Sequence, residues 1–161
     1  AARAVAVKAA MQGAEMINIA NRTVQKAADI ASLINNHSEC RAEALSFEDI
    51  KQRNLLEETD VIINTTPIGM HPDIDNSPVS IDNNFSEKHI VYDLIYNPPE
   101  TKLLKFAKKC GSKTLNGLGM LLYQAISAYE LITGINIPDN VSSAVITLFE
   151  NYLSNWKDFF S

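Results

Sequence analysis

The spacing of hydrophobic positions along this chain changes several times, and each change marks an element. Ala1 to Gln12 reads as a helix closed by Gly13, which suits a left-handed C-terminal cap. Met16 to Ala20 is a short apolar run with the pattern of a buried strand. From Thr23 to Ile34, Val24, Ala27, Ala28, Ala31 and Ile34 recur on one side of a helix. Arg41 to Leu45 reads as a short edge strand, and Ser46 as the cap of a helical stretch. Glu48 and Asp49 lie in its first turn, where the helix dipole favours negative charge. Val61 to Asn64 is a β-branched run of the kind buried on both faces of a parallel sheet.

A polar loop follows from Thr65 to Lys88, holding Pro67, Gly69, Pro72 and Pro78. His89 to Tyr96 is the next predicted strand. Pro98 and Pro99 open a predicted helix through Lys109, ended by Gly111. Ser112 to Gly117 contains a last short strand. Gly119 to Thr133 is a largely apolar helix stopped by Gly134, and Pro138 with Asp139 begins a C-terminal amphipathic helix. Strands alternating with helices predict an α/β fold with a mostly parallel sheet, doubly wound in the Rossmann manner.

Composition narrows the partners more than the fold. The 161 residues are 46% hydrophobic and 20% charged, enough for one domain with a sizeable core. The net charge of -5 argues against nucleic acid or an anionic membrane surface as the main partner. Any polyanion held here must meet a local positive site. No apolar run is long enough to span a bilayer, and Arg3 and Lys8 sit within the alanine-rich start, unlike a signal peptide. Cys40 and Cys110 form no C-x-x-C pattern and read as reduced thiols of a cytoplasmic protein.

The strand end at Ala20 carries the most specific chemistry. A dinucleotide-binding βαβ unit usually places an acidic residue at this strand end, where it holds the ribose 2′-OH. Here the turn is Asn21-Arg22-Thr23. A carboxylate would repel a 2′-phosphate, whereas a guanidinium holds one with two parallel charge-assisted bonds. Each such bond contributes about 1.5–3 kcal/mol, so two of them favour NADP over NAD by about a hundredfold. Thr23 is placed to cap the following helix and to offer its hydroxyl and N–H to the same phosphate. Lys26 adds positive charge one turn on. The alternative for Arg22 is a solvated turn arginine.

Three further stretches sit at strand ends. In Asn64 to Met70, residues Thr65, Pro67 and Ile68 make a wall for a flat ring, or simply a loop turn. In Asn116 to Met120, Gly117 lets backbone approach a ligand and offers a carbonyl to a carboxamide. Met120 there packs either on a nicotinamide ring or on protein. Tyr96 ends a predicted buried strand. Gln124 lies in an apolar helix, where a buried amide needs a partner, either backbone or a polyhydroxyl substrate. Metal sites find no support. The run from Asp73 has Pro78 and Asn84 where a calcium loop needs glycine and glutamate, and His37, His71 and His89 share no ligand spacing. Trp156, Phe159 and Phe160 read as helix-face packing.

The segments Ala20–Ala27, Asp60–Pro72, Tyr92–Leu104 and Asn116–Gln124 together resemble shikimate dehydrogenases in order and spacing. The likeness runs over nearly the whole chain and is weakest from Asn35 to Glu58 and after Asp139. It implies reversible hydride transfer between NADPH and 3-dehydroshikimate, a step towards chorismate and the aromatic amino acids. By position, Asn21, Arg22, Thr23 and Lys26 resemble the adenosine-2′-phosphate turn. Pro67, Leu94 and Gly117 resemble contacts along the cofactor, with Met120 near the nicotinamide. Tyr96 and Gln124 resemble the residues that this domain lends to shikimate.

The family also carries a strand and a G-x-G-G loop before the residues matching Ala1 onward, and before them a substrate domain with a catalytic lysine and aspartate. None of these lies in the 161 residues, so no catalytic residue is assigned here. The expectation is a partial NADP-binding domain over 1–161, inactive alone, its sheet lacking the central first strand. The helices at 118–134 and 139–160 would pack towards the substrate domain. The competing readings are a quinate/shikimate dehydrogenase and a non-catalytic NADP(H)-binding module. A more distant rival, glutamyl-tRNA reductase, shares the Asn-Arg-Thr turn but not Asn116–Gln124.

Overall fold

The computed structural model describes residues 1–52, 55–80 and 85–155. Trp156, Phe159, Phe160 and Asn84, each weighed above, lie outside the described residues. The chain divides into two compact units, Ala1–Asp60 with Val79–Phe85, and Val61–Pro78 with Ser86–Ser161. Among the described residues no helix is long and apolar enough to cross a membrane.

The first unit is a helix–strand–helix–strand run. α1 (Ala2–Met11) leads through Gly13, at φ 89°, into β1 (Met16–Ala20). α2 (Val24–His37) follows, then β2 (Arg41–Leu45), which pairs parallel to β1 with Met16 opposite Arg41 and Ala20 opposite Leu45. The core joins Ala6 of α1, Ile19 of β1, Ala27, Ala31 and Ile34 of α2, and Cys40. Small alanines on the buried stripe of α2 let the helix approach the sheet closely. Val24, expected on that stripe, is exposed because it sits at the first helical position, before the helix reaches the sheet. α2 also runs one turn beyond Ile34, where the His37 Nδ1 meets the Leu33 carbonyl at 2.9 Å.

Ser46 starts α3 (Phe47–Gln52) with a reciprocal cap. The Asp49 N–H donates to Ser46 Oγ at 3.1 Å, and the Ser46 N–H donates to Asp49 Oδ2 at 2.7 Å. This is a capping box with Asp in place of Glu. A single 3₁₀ turn at Leu55–Glu58 buries Leu55 and Leu56.

The second unit holds a three-stranded parallel sheet in the order β3 (Val61–Asn64), β4 (Ile90–Asp93) and β5 (Lys113–Leu115). β4 is half the length expected of it, and the chain leaves the ladder at Asp93 rather than Tyr96. β3 is not buried on both faces: Val61 is exposed and Ile62 and Ile63 are half-buried. α4 (Lys102–Lys109) begins later than Pro98–Pro99, because Thr101 is its cap: the Thr101 side chain accepts from the Leu104 N–H at 3.4 Å. α5 (Leu118–Thr133) is closed by Gly134 at φ 69°, and α6 (Asp139–Asn155) follows.

Both ladders, β2–β1 and β3–β4–β5, are parallel, as in a doubly wound fold. No described strand takes the place of the central first strand, and β1 and β3 each have one ladder partner. Leu103 on α4 is 2% exposed and among the largest fully buried side chains. Leu103→Ala should cost about 2–5 kcal/mol of unfolding free energy in a denaturant titration. A loss below about 1 kcal/mol would mean that the site collapses around the smaller side chain.

Candidate functional site

The β1–α2 turn presents its cation outward. Its fold is set by Asn21, whose N–H donates to the Leu45 carbonyl at 3.2 Å and whose Oδ1 accepts from the Thr23 N–H at 2.9 Å. This Asx-type turn fixes the chain between strand and helix. Arg22, Thr23 and Lys26 are all exposed. Neither Arg22 nor Lys26 makes an ion pair or side-chain hydrogen bond among the described residues. Thr23 holds the N-cap position of α2, but its side chain makes no cap bond. Its N–H is spent on Asn21, which leaves the hydroxyl rather than the N–H for an outside anion. The turn thus gathers an exposed guanidinium, ammonium and hydroxyl beside the open N–H groups of a helix start, donor types from which an anion can accept.

In the second unit, parallel pairing carries the C-terminal ends of β3, β4 and β5 to one sheet edge. Thr65, Leu94 and Gly117 each follow closely on one of those ends, so they stand side by side. Thr65 and Leu94 are half-buried, and Pro67 is exposed in the loop beyond. Gly117 is buried, and its N–H donates to the Ile95 carbonyl at 3.0 Å. A Cβ at Gly117 would overlap the Leu94 carbonyl, so only glycine fits. Its own carbonyl accepts the first bond of α5, from the Leu121 N–H at 3.1 Å, and keeps one lone pair for a ligand.

Met120 is half-buried in the first turn of α5. Gln124 lies one turn further on the same helix face. Gln124 is exposed, which corrects the expectation of a buried amide: the apolar residues around it do not enclose it. Tyr96 is 40% exposed, three residues past the end of β4. The loop after β3 also lines a cleft of about 240 Å³, bounded by Pro67, Ile68, Met70, His71, Pro72 and Asp73 with Asn76.

Sequence reasoning missed the groups that hold this edge together. Asn64, Asp93 and Thr101 are buried polar residues. Asn64 Nδ2 donates to Asp93 Oδ1 at 3.0 Å, and the Thr101 hydroxyl donates to Asp93 Oδ2 at 2.7 Å. The Ile95 N–H adds a third donor to Asp93 Oδ1 at 3.1 Å. Asn64 Oδ1 accepts from both the N–H and the hydroxyl of Thr66, and Asn64 Nδ2 reaches the Ile68 carbonyl. The available signal was an acidic residue inside an otherwise apolar strand, followed by a threonine one residue before a helix. Such an acid, if buried, has to be satisfied by neighbours.

Burial pushes the Asp93 carboxyl above the usual carboxylate range, opposed by the bonds from Thr101, Ile95 and Asn64. A carboxyl whose folded value lies above its unfolded value stabilises the fold most below about pH 4, and that contribution fades as pH rises through the folded value. Asp93→Asn removes this dependence. The difference in melting temperature between variant and wild type should therefore move in the variant's favour as pH rises from about 4 towards neutrality. Movement in the opposite direction, in thermal melts across that range, would mean that the three donors outweigh burial.

Cys40 and Cys110 carry free thiols, and no group of His, Cys, Asp or Glu suited to a metal ion occurs among the described residues. No family model matches the chain. Curated relatives do match. A shikimate dehydrogenase (NADP(+)) of Caldanaerobacter subterraneus subsp. tengcongensis is 45% identical over 134 residues, which are 83% of this chain and 46% of that protein. Among solved structures, a shikimate 5-dehydrogenase from Listeria monocytogenes, in complex with shikimate and NAD, superposes with a TM-score of 0.79. It is 32% identical, over 89% of this chain and 51% of its own. A quinate dehydrogenase from Corynebacterium glutamicum, in complex with NAD, reaches the same TM-score at 30% identity, over 92% of this chain and 51% of its own. The chain thus spans about half the length of the relatives it matches. Over that half, the chain resembles shikimate dehydrogenases in both sequence and fold.

Proposed function

We propose that this chain supplies the cofactor-binding part of an NADP-dependent shikimate dehydrogenase, which interconverts 3-dehydroshikimate and shikimate. The observation that carries the reading is the exposed Arg22 at the β1–α2 turn, with no carboxylate beside it at the position where an NAD-selective site would place one. In this reading Arg22, the Thr23 hydroxyl and Lys26 surround the 2′-phosphate, and Asn21 holds their turn in shape. Thr65, Pro67, Leu94, Gly117 and Met120 lie along the cofactor towards its nicotinamide. Tyr96 and Gln124, both exposed, offer a hydroxyl and an amide to the shikimate hydroxyl groups.

NADPH, when bound, supplies the hydride. The residues of this chain bind and orient it, and proton transfer at the carbonyl falls to residues outside these 161, so none here is assigned a catalytic role. The domain covers 1–161, with α5 and α6 turned towards a substrate domain. The partner is a small molecule rather than nucleic acid or membrane, no metal takes part, and the protein works in the cytoplasm.

The first test is NADP⁺ reduction by the full-length protein, with shikimate and quinate offered separately. Turnover on shikimate with strong preference for NADP⁺ over NAD⁺ is expected. A folded protein that binds NADPH but turns over neither substrate would leave a cofactor-binding module. Arg22→Ala should weaken NADPH binding about a hundredfold and leave NADH binding nearly unchanged, because only the former carries the phosphate. Equal losses would make Arg22 a structural residue. Gln124→Ala should raise the KM for shikimate about tenfold without changing NADP⁺ affinity, the loss expected for one hydrogen bond to a polar ligand. Because Gln124 is exposed, its removal should leave the melting temperature unchanged.

A further inference from the structure

Asp93 and Thr101 are both completely buried, so neither can touch a ligand. Their bonds nevertheless end on every loop at the ligand edge of the second sheet. Asp93 Oδ1 takes the Ile95 N–H, which turns the chain immediately after β4 and sets the course of Leu94 to Tyr96. The Ile95 carbonyl in turn accepts the Gly117 N–H at 3.0 Å, tying the start of α5 to that turn. On the other side, Asp93 Oδ1 takes Asn64 Nδ2, and Asn64 Oδ1 takes the N–H and hydroxyl of Thr66 at 2.9 Å and 2.7 Å. Thr66 Oγ1 then accepts from the Ile68 N–H at 3.2 Å. The carboxylate itself is steered by the Thr101 hydroxyl, 2.7 Å from Oδ2. One hydroxyl therefore stands at the root of a branching set of bonds that fixes three loops.

We infer that Thr101, acting through the buried Asp93 and Asn64, is a positioning residue that sets the strand-end loops against the nicotinamide half of the cofactor. The inference rests on the NADP-dependent reading above. It separates the two halves of the cofactor, because the Arg22 turn belongs to the other structural unit and, among the described residues, shares no bond with this network. Thr101→Val keeps the shape of the side chain and removes its donor. Thr101→Ser keeps the donor and removes only the methyl group.

The experiment compares, on the full-length protein, binding of NADPH with binding of 2′-phospho-ADP-ribose, which lacks the nicotinamide. Thr101→Val should weaken NADPH about tenfold while 2′-phospho-ADP-ribose changes by less than about twofold, and Thr101→Ser should restore NADPH to near wild type. Equal losses on both ligands would overturn the inference and leave Thr101 a helix cap alone. Unchanged NADPH binding would overturn it too, as would failure of serine to restore it. A wild-type protein that binds neither ligand would instead overturn the NADP reading on which the inference rests.

Discussion

A carboxylate with no exposed surface is the constraint around which the second unit is built. Asp93 has a desolvation cost that an apolar residue would not carry, and the fold offsets it with three donors from three separate segments. Each donor is itself a structural part: Asn64 ends β3, Ile95 begins the turn after β4, and Thr101 caps α4. Satisfying the acid therefore also fixes where two strands stop and where a helix begins. The early end of β4 and the late start of α4 have this common origin. Asp93 closes the ladder opposite Asn64 while its side chain takes the Ile95 N–H just beyond, and Thr101 is held outside the helix to reach it.

The candidate residues of each unit present a different type of surface. The Asn21-Arg22-Thr23 turn offers exposed charge in solvent, the kind of donor that pairs with an anion. The sheet edge at Thr65, Leu94 and Gly117 offers shape, since the absence of a side chain at Gly117 brings its backbone close to Leu94. The first kind of contact weakens with added salt, and the second does not.

Much of this was legible in the order of residue types. β1, β2 and α2 follow their hydrophobic period, and Gly13, Gly111 and Gly134 end helices in the left-handed conformation expected of them. The Arg22 turn was readable because its chemistry is local. The network at Asp93 was not, since Asn64, Asp93 and Thr101 are separated by 29 and 8 residues and meet only after the strands pair. Gln124 misled for the opposite reason. Its neighbours are apolar, yet Leu131 and Ile132 of the same helix are 86% and 85% exposed, so apolar composition did not mean enclosure. Val24 and Val61 erred likewise at element starts, where the period holds but the neighbouring layer has not begun.

The contact between Gly117 and the Leu94 carbonyl has a mechanical consequence. It joins the first turn of α5 to the end of β4 with no side chain between them, and a hydrogen bond to Ile95 reinforces the joint. A helix held so tightly at one end can move chiefly by pivoting there. α5 has 16 residues and is about 24 Å long, so a tilt of about 5° at the joint carries its far end by about 2 Å. Met120, one turn from the pivot, would barely shift, while Leu131 and Ile132 would travel furthest. Gly117 is in this sense a fulcrum, the fixed point from which any tilt of α5 would be measured.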